Sequence, residues 1–194
     1  EIQYLGKSSS IQFREKYDQI INKVISCSKM LQHTDGSVVN FNGGSKFSKD
    51  LISQLISKSN STIKSHNGIT KDGFARMNLK STSIFFDAGN PNNNSENWHA
   101  GTLAFELSYR KNLIVVNNGF METETKWTKA LRGTSAHSTI SIDGKNSSNL
   151  DSYKNEGRIA RTTNKVFKRT KDGFFASALH NGYFVSHGIY HKRE

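Results

Sequence analysis

Two histidines and an asparagine, His99, His137 and Asn117, stand at the ends of runs that read as β-strands. Neutral imidazole can hold a metal ion, pass a proton or accept a hydrogen bond, and an amide adds an uncharged oxygen donor. Close by are further polar and aromatic residues that could meet a ligand. Arg132, five positions before His137, has the planar fork that pairs with a carboxylate. Trp98 offers a ring face that can stack on a ligand, with Asn97 beside it as a further polar contact. His33, in H-T-D-G, can line a cleft or close a turn with Asp35. Each also has an ordinary structural use: a strand cap for the histidines, a salt bridge or strand-end cap for Arg132, core packing for Trp98.

These residues need elements to position them. Residues 11–31 carry apolar side chains at Ile11, Tyr17, Ile20, Ile21, Val24, Ile25, Met30 and Leu31, a spacing that predicts an amphipathic helix. Cys27, the only cysteine, falls on this helix as a small buried residue and excludes an internal disulfide or a thiolate metal cluster. A second helix is predicted from about Ser48 to Lys58. From Gly73 the apolar period changes to two. F-A-R-M-N-L sets Phe74 and Arg76 against Ala75 and Met77, and a strand over Thr102–Tyr109 sets Leu103, Phe105 and Leu107 against Ala104, Glu106 and Ser108.

Further strands are read in L-I-V-V, in S-T-I-S-I before Asp143-Gly144, in F-K-R-T, in F-F-A-S-A-L-H before Asn181-Gly182, and in Y-F-V-S-H-G-I-Y. D-G and N-G steps between alternating runs are hairpin signals. The pattern predicts an α+β chain: helices over about 1–65, then an antiparallel β-sandwich over about 66–194, read as part of something longer.

Spacing alone does not gather the three polar residues. A turn at Arg110–Lys111 sets Asn117 opposite Ala104 and leaves His99 about 16 Å further along at strand rise. The loop 97–101 must therefore curl back over the sheet, with Gly101 as the position that permits it. A histidine at the polar end of a strand is expected to be accessible.

The chain has 194 residues, a formal charge of +11 and 34% hydrophobic residues. That balance favours a polyanion: acidic polysaccharide, nucleic acid or anionic lipid. No nucleic-acid readout motif is present, so nucleic acid is not the expected partner. The longest apolar run in the β half, Leu113–Val116, is too short to span a membrane. The cluster Arg158, Arg161, Lys165, Lys168, Arg169 and Lys171 reads as a solvated strand face or as an attractor of an acidic polymer.

W-H-A-G-T-L-A-F-E-L-S, V-V-N-N-G, R-G-T-S-A-H-S-T-I-S-I-D-G, S-A-L-H-N-G-Y and G-I-Y-H-K-R, taken in order, resemble the heparinase II/III-like family of polysaccharide lyases. L-Q-H-T-D-G-S-V-V-N-F-N-G-G resembles the segment leaving that family's helical toroid. The resemblance implies the end of an α/α toroid followed by a β-sandwich, with the cleft between them, and a periplasmic or secreted protein. It implies β-elimination on a uronic-acid-containing polysaccharide, with much of the machinery on toroid helices upstream, so that this segment alone is inactive. The alternative is a carbohydrate-binding sandwich that has lost catalysis.

In metal-bearing members two histidines and an aspartate hold zinc, and these positions fall on His99, Asn117 and His137. A further family histidine, assigned to catalysis, falls on Asn97, and a frequent aspartate falls on Gly101. With this family reading beside the residues' own chemistry, His99, His137 and Arg132 are expected in catalytic roles and Asn97, Trp98 and His33 as substrate contacts. Asn117 supplies only a neutral oxygen in place of a carboxylate, so zinc competes with a hydrogen-bonded His–Asn–His cluster that shapes the cleft.

Overall fold

The five-stranded sheet at the centre of the chain is covered on both faces, and that decides where its polar residues go. The structure is a computed structural model that describes residues 11–44, 49–59, 64–91, 98–120, 126–151 and 158–194. Helices α1 (Ile11–Met30) and α2 (Lys49–Lys58) come first. Strands β1 (Gly68–Ile69), β2 (Phe74–Leu79), β3 (Thr82–Asp87), β4 (Phe105–Tyr109) and β5 (Asn112–Val115) then form an antiparallel sheet in chain order. After helix α3 (Lys126–Arg132) and a 3-10 turn (Thr134–Ala136), strands β6 (Thr162–Arg169), β7 (Phe174–His180) and β8 (His191–Arg193) make a three-stranded sheet. A single helical turn, α4 (Phe184–His187), joins its last two strands.

One face of the larger sheet packs on the smaller. Ala75, Phe86, Ala88 and Leu103 meet Ala176 and Ala178, with Met77, Phe105 and Phe167 at the margin. This is the expected sandwich. The other face is covered by the segment that leaves α1: Val39 and Phe41, flanked by Leu31 and Val38, lie on Phe85 and Ala104. Alternation between Phe105 and Glu106 therefore separates two buried environments, not core from solvent. Ser83, Ser108, Arg76 and Glu106, all on the second face, are buried. The Arg76 guanidinium donates to the carbonyls of Lys29 (2.7 Å) and Met30 (3.4 Å), capping α1 where its last turn leaves carbonyls unpaired. It also stacks over the Phe85 ring.

Several local expectations are corrected. The strand expected from Thr102 starts at Phe105, because Leu103 takes a left-handed conformation (φ 61°) and bends the chain. S-T-I-S-I is irregular, closed by an Ile142–Lys145 bridge. Y-F-V-S-H-G-I-Y opens as α4, closed by Gly188 at φ 70°. The helix α3 was not signalled by the apolar period. Cys27 is exposed on α1, as are Ile20 and Val24, while Ile25 and Met30 are buried. In α2, of the apolar residues Leu51, Ile52, Leu55 and Ile56, only Ile52 is buried.

Candidate functional site

A clamp of backbone and side-chain hydrogen bonds fixes His99. The Arg132 Nε–H donates to the Trp98 carbonyl (3.0 Å), while the Ala100 N–H donates to the Arg132 carbonyl (2.9 Å). Thr134 Oγ1 then donates to the Ala100 carbonyl at 2.7 Å. The residues on either side of His99 are thus held by the end of α3, and its side chain has little freedom.

Leu103 supplies the reversal that the loop needed. The Ala104 N–H donates to the Gly101 carbonyl (2.9 Å), folding residues 98–101 back over the end of β4. Gly101 itself serves a close approach: a Cβ at that position would lie 2.7 Å from Cδ2 of His137. The outcome is that His99 Nδ1 and His137 Nε2 stand 3.0 Å apart, with the rings almost perpendicular.

The tautomers follow from the carbonyl at the far end. Gly133 O, 2.8 Å from His137 Nδ1, can only accept, so Nδ1 of His137 carries the proton and its Nε2 is a bare acceptor. His99 must then donate through Nδ1, which leaves its Nε2 with the lone pair. Burial, with His137 and Arg132 nearby, pulls the His99 pKa down to about 3. Burial lowers His137 as well, against the opposing bond to Gly133. Both rings are neutral at physiological pH. They are also less accessible than the strand-end position suggested, with 1% of His99 and 8% of His137 exposed.

Asn117 joins the cluster through the neighbouring residue. A register shift between Leu107 and Ser108 pairs Leu107 with Val115, which sets Asn117 beside Phe105 and not Ala104. Its Oδ1 accepts from Ser138 N–H (2.9 Å) and Oγ (3.2 Å), and its Nδ2 donates to Phe105 O (3.2 Å) and Glu106 Oε1 (3.3 Å). Both ends of the amide are committed to protein groups. Within this cluster the facing ring nitrogens are Nδ1 of His99 and Nε2 of His137. A tetrahedral zinc ion needs at least three protein donors, and no group of three or more His, Cys, Asp or Glu residues fit to hold a metal occurs among the described residues. As placed, the residues do not fit zinc.

The other sequence-predicted residues have different tasks. The two Arg132 donors described, Nε to Trp98 and Nη2 to Leu150 O (3.0 Å), hold backbone carbonyls and not a ligand. Trp98 is 2% exposed, packed in the interior with no ring face for a sugar. His33 bridges Ser108 Oγ and Glu106 Oε2, both at 2.9 Å, while Asp35 closes its own turn with Ser37. Asn97 lies outside the described residues.

Glu106 is the residue the sequence reading missed. It accepts from His33, from the backbone N–H of Asn40 (2.8 Å) and Asn117 (3.2 Å), and from the Asn117 amide. It ties the 31–44 segment to the hairpin that carries Asn117. The available signal was its company: Ala104 and Ser108 in the same phase are small, as a closely covered face requires.

Residues 65–194 match the family model described as heparinase II/III-like, C-terminal. The fold is similar to that of the heparinase III BT4657 gene product, at 15% identity and a TM-score of 0.62 over 95% of this chain and 30% of that one. It is similar to a mutant of heparan sulfate lyase HepC from Pedobacter heparinus, at 14% identity and 0.60 over 91% and 30%. A further heparinase III gives 12% identity and 0.53 over 89% and 33%. The chain thus spans under a third of the first two and a third of the last. No curated protein matches the sequence.

Proposed function

Since the chain belongs to the heparinase II/III-like family, we propose that it is the sandwich wall of a polysaccharide lyase acting by β-elimination on a uronic-acid-containing acidic polysaccharide. In that reaction a base takes the proton α to the uronate carboxylate. Its electron pair forms the new double bond, the glycosidic C–O bond β to the carboxylate breaks, and an acid protonates the leaving oxygen. The site must stabilise negative charge building on the carboxylate, and preorganised donors do that best.

The observation that carries this reading is the His99–His137 pair at 3.0 Å, clamped in a fixed tautomer on the segment that bears the family pattern. With a pKa near 3, His99 is a weak base, and as a neutral ring it cannot neutralise a carboxylate. We assign the pair the task of fixing the cleft wall and presenting one imidazole acceptor at His99 Nε2. Arg132 acts as a positioning residue through the Trp98 and Ala100 backbone. The base and the acid are assigned to the helical part of the full-length protein. Heparan sulfate, after which the structurally similar HepC lyase is named, is a first candidate polymer.

The test is to incubate the full-length protein with a panel of uronate polymers and follow the ultraviolet absorbance of unsaturated products. Product that falls sharply in His99→Ala supports the reading. Binding without product across the panel, unchanged in His99→Ala and His137→Ala, gives the second reading, a carbohydrate-binding sandwich. Asn117 in the place of a carboxylate and the burial of both imidazoles favour that alternative.

A further inference from the structure

Where α1 meets the larger sheet there is a pocket of about 500 Å³ lined by Lys29, Gln32, His33, Lys64, Ser65 and Arg76. It draws on three separate stretches of chain: the end of α1 and its exit, the residues before β1, and β2. Three of the six lining residues are cations and none is an acid. A helix C-terminus ordinarily repels anions, but here the Lys29 and Met30 carbonyls already accept from Arg76. Arg76 is itself buried, fixed by those carbonyls and by the Phe85 ring, so its charge is held at the pocket wall and not spread through solvent. Both His33 nitrogens are engaged by Ser108 and Glu106, which makes the ring a rigid floor. The exposed Lys64 and Ser65 supply donors at the rim.

We propose that this pocket is an oxyanion site that takes a sulfate or carboxylate substituent of an acidic saccharide. The chemistry of the pocket selects an oxyanion, and the saccharide as its source rests on the polysaccharide reading above. The site is distinct from the His99–His137 pair, and shares with it no hydrogen-bonding residue. Burial pulls the Arg76 guanidinium below its ordinary value, and an oxyanion beside it returns solvation that the fold removed. A uronate polymer bound here would be held at the junction of helix and sandwich, independently of the reacting linkage.

The experiment is an amide chemical-shift titration of the full chain with sodium sulfate, against sodium chloride at equal ionic strength. Sulfated and unsulfated uronate oligosaccharides follow. Saturable shifts at Gln32, His33, Ser65 and Arg76 are expected with sulfate and with at least one oligosaccharide. Lys64→Glu should weaken both by about tenfold, the worth of one charge-assisted contact. Lys145→Glu, a like change at an exposed residue outside the pocket, should leave the affinity unchanged. Shifts that never saturate, or that ignore Lys64→Glu, overturn the site. Saturation by sulfate with no response to either oligosaccharide overturns the saccharide source. Because the titration does not need turnover, a failure of the lyase reading shows separately, as absent unsaturated product.

Discussion

Gly101 lies against the face of His137 so closely that a Cβ on it would stand 2.7 Å from Cδ2 and 3.1 Å from Cγ of the imidazole. The space that a side chain at position 101 would enter is therefore filled, in this chain, by the ring of the second histidine.

Gly101→Ala is expected to push the His137 ring away and to cost about 1–3 kcal/mol, the usual range for overpacking a fixed site. The His99 Nδ1 to His137 Nε2 bond should lengthen or break. Urea denaturation gives the energy, and imidazole nitrogen shifts report the bond. Unchanged stability with unchanged nitrogen shifts would mean that the ring moves freely and the close approach is incidental.

Much of this arrangement was legible in the sequence, and the missing part has a physical cause. The histidines, the glycine and the asparagine could be picked out, as could α1, α2 and the hairpin at Lys111, since period and turn chemistry are local properties. The convergence of His99 on His137 depends on Leu103 adopting φ 61° and on α3 gripping residues 98–100, and neither leaves a periodic trace. Glu106 was misread for a related reason. Alternation says which residues share a face but not whether something covers that face, and here Val39 and Phe41 do.

Asn117→Asp tests the metal question from the protein's side. The substitution keeps an acceptor for Ser138 but removes the Nδ2 donor and sets a second carboxyl group against Glu106 Oε1, now 3.3 Å from that nitrogen. In metal-free buffer the variant should lose about 1–3 kcal/mol of stability, the cost of an unmade buried hydrogen bond, with like-charge repulsion added. Zinc should leave the thermal midpoint of the unsubstituted chain unchanged. A clear zinc-dependent rise in that midpoint would show that Asn117 turns to coordinate, contrary to the bonding seen.

Stability should fall as pH is lowered below about 6.5, the ordinary histidine value. His180 repeats the tautomer logic of His137. Gly182 N–H donates to its Nδ1 (2.9 Å), so its Nε2 donates to His191 Nδ1 (3.0 Å), and neither ring can take a further proton without losing a bond. Burial, with His191 and nearby arginines, holds His180 at about 3, and burial with Arg193 holds His191 at about 4. With His99 at about 3, the unfolded chain binds more protons than the folded one between about 6.5 and 3–4. Each histidine thus contributes stability that is present above 6.5 and lost on acidification, at most about 1.4 kcal/mol per pH unit apiece. Asp87 works in the opposite sense. Burial raises its pKa to about 7, so its contribution favours the folded state at low pH and fades as pH rises through 7. One such group offsets one histidine, and the net acid loss remains. Denaturant midpoints from pH 8 to pH 4 check this, and a flat profile would mean that the imidazoles are protonated in the fold.

Glu106→Ala is expected to be the most damaging single change outside the apolar core. The carboxylate receives His33 Nε2, the N–H groups of Asn40 and Asn117, and the Asn117 amide, all buried or half-buried. Truncation leaves each donor without its partner, a loss of about 3–5 kcal/mol for a buried charge-assisted cluster. Glu106→Gln keeps the volume and one acceptor oxygen, and should cost less than half as much. The damage should be directional. The 31–44 segment loses its tie to β4, so hydrogen exchange should quicken first at the His33 and Val39 amides, which now donate to Ser37 and Leu31. Amides of β6 and β7, which pair with each other and do not touch Glu106, should keep their protection. Uniform loss of protection over both sheets would show instead that Glu106 supports the whole sandwich and that the 31–44 segment has no stability of its own to lose.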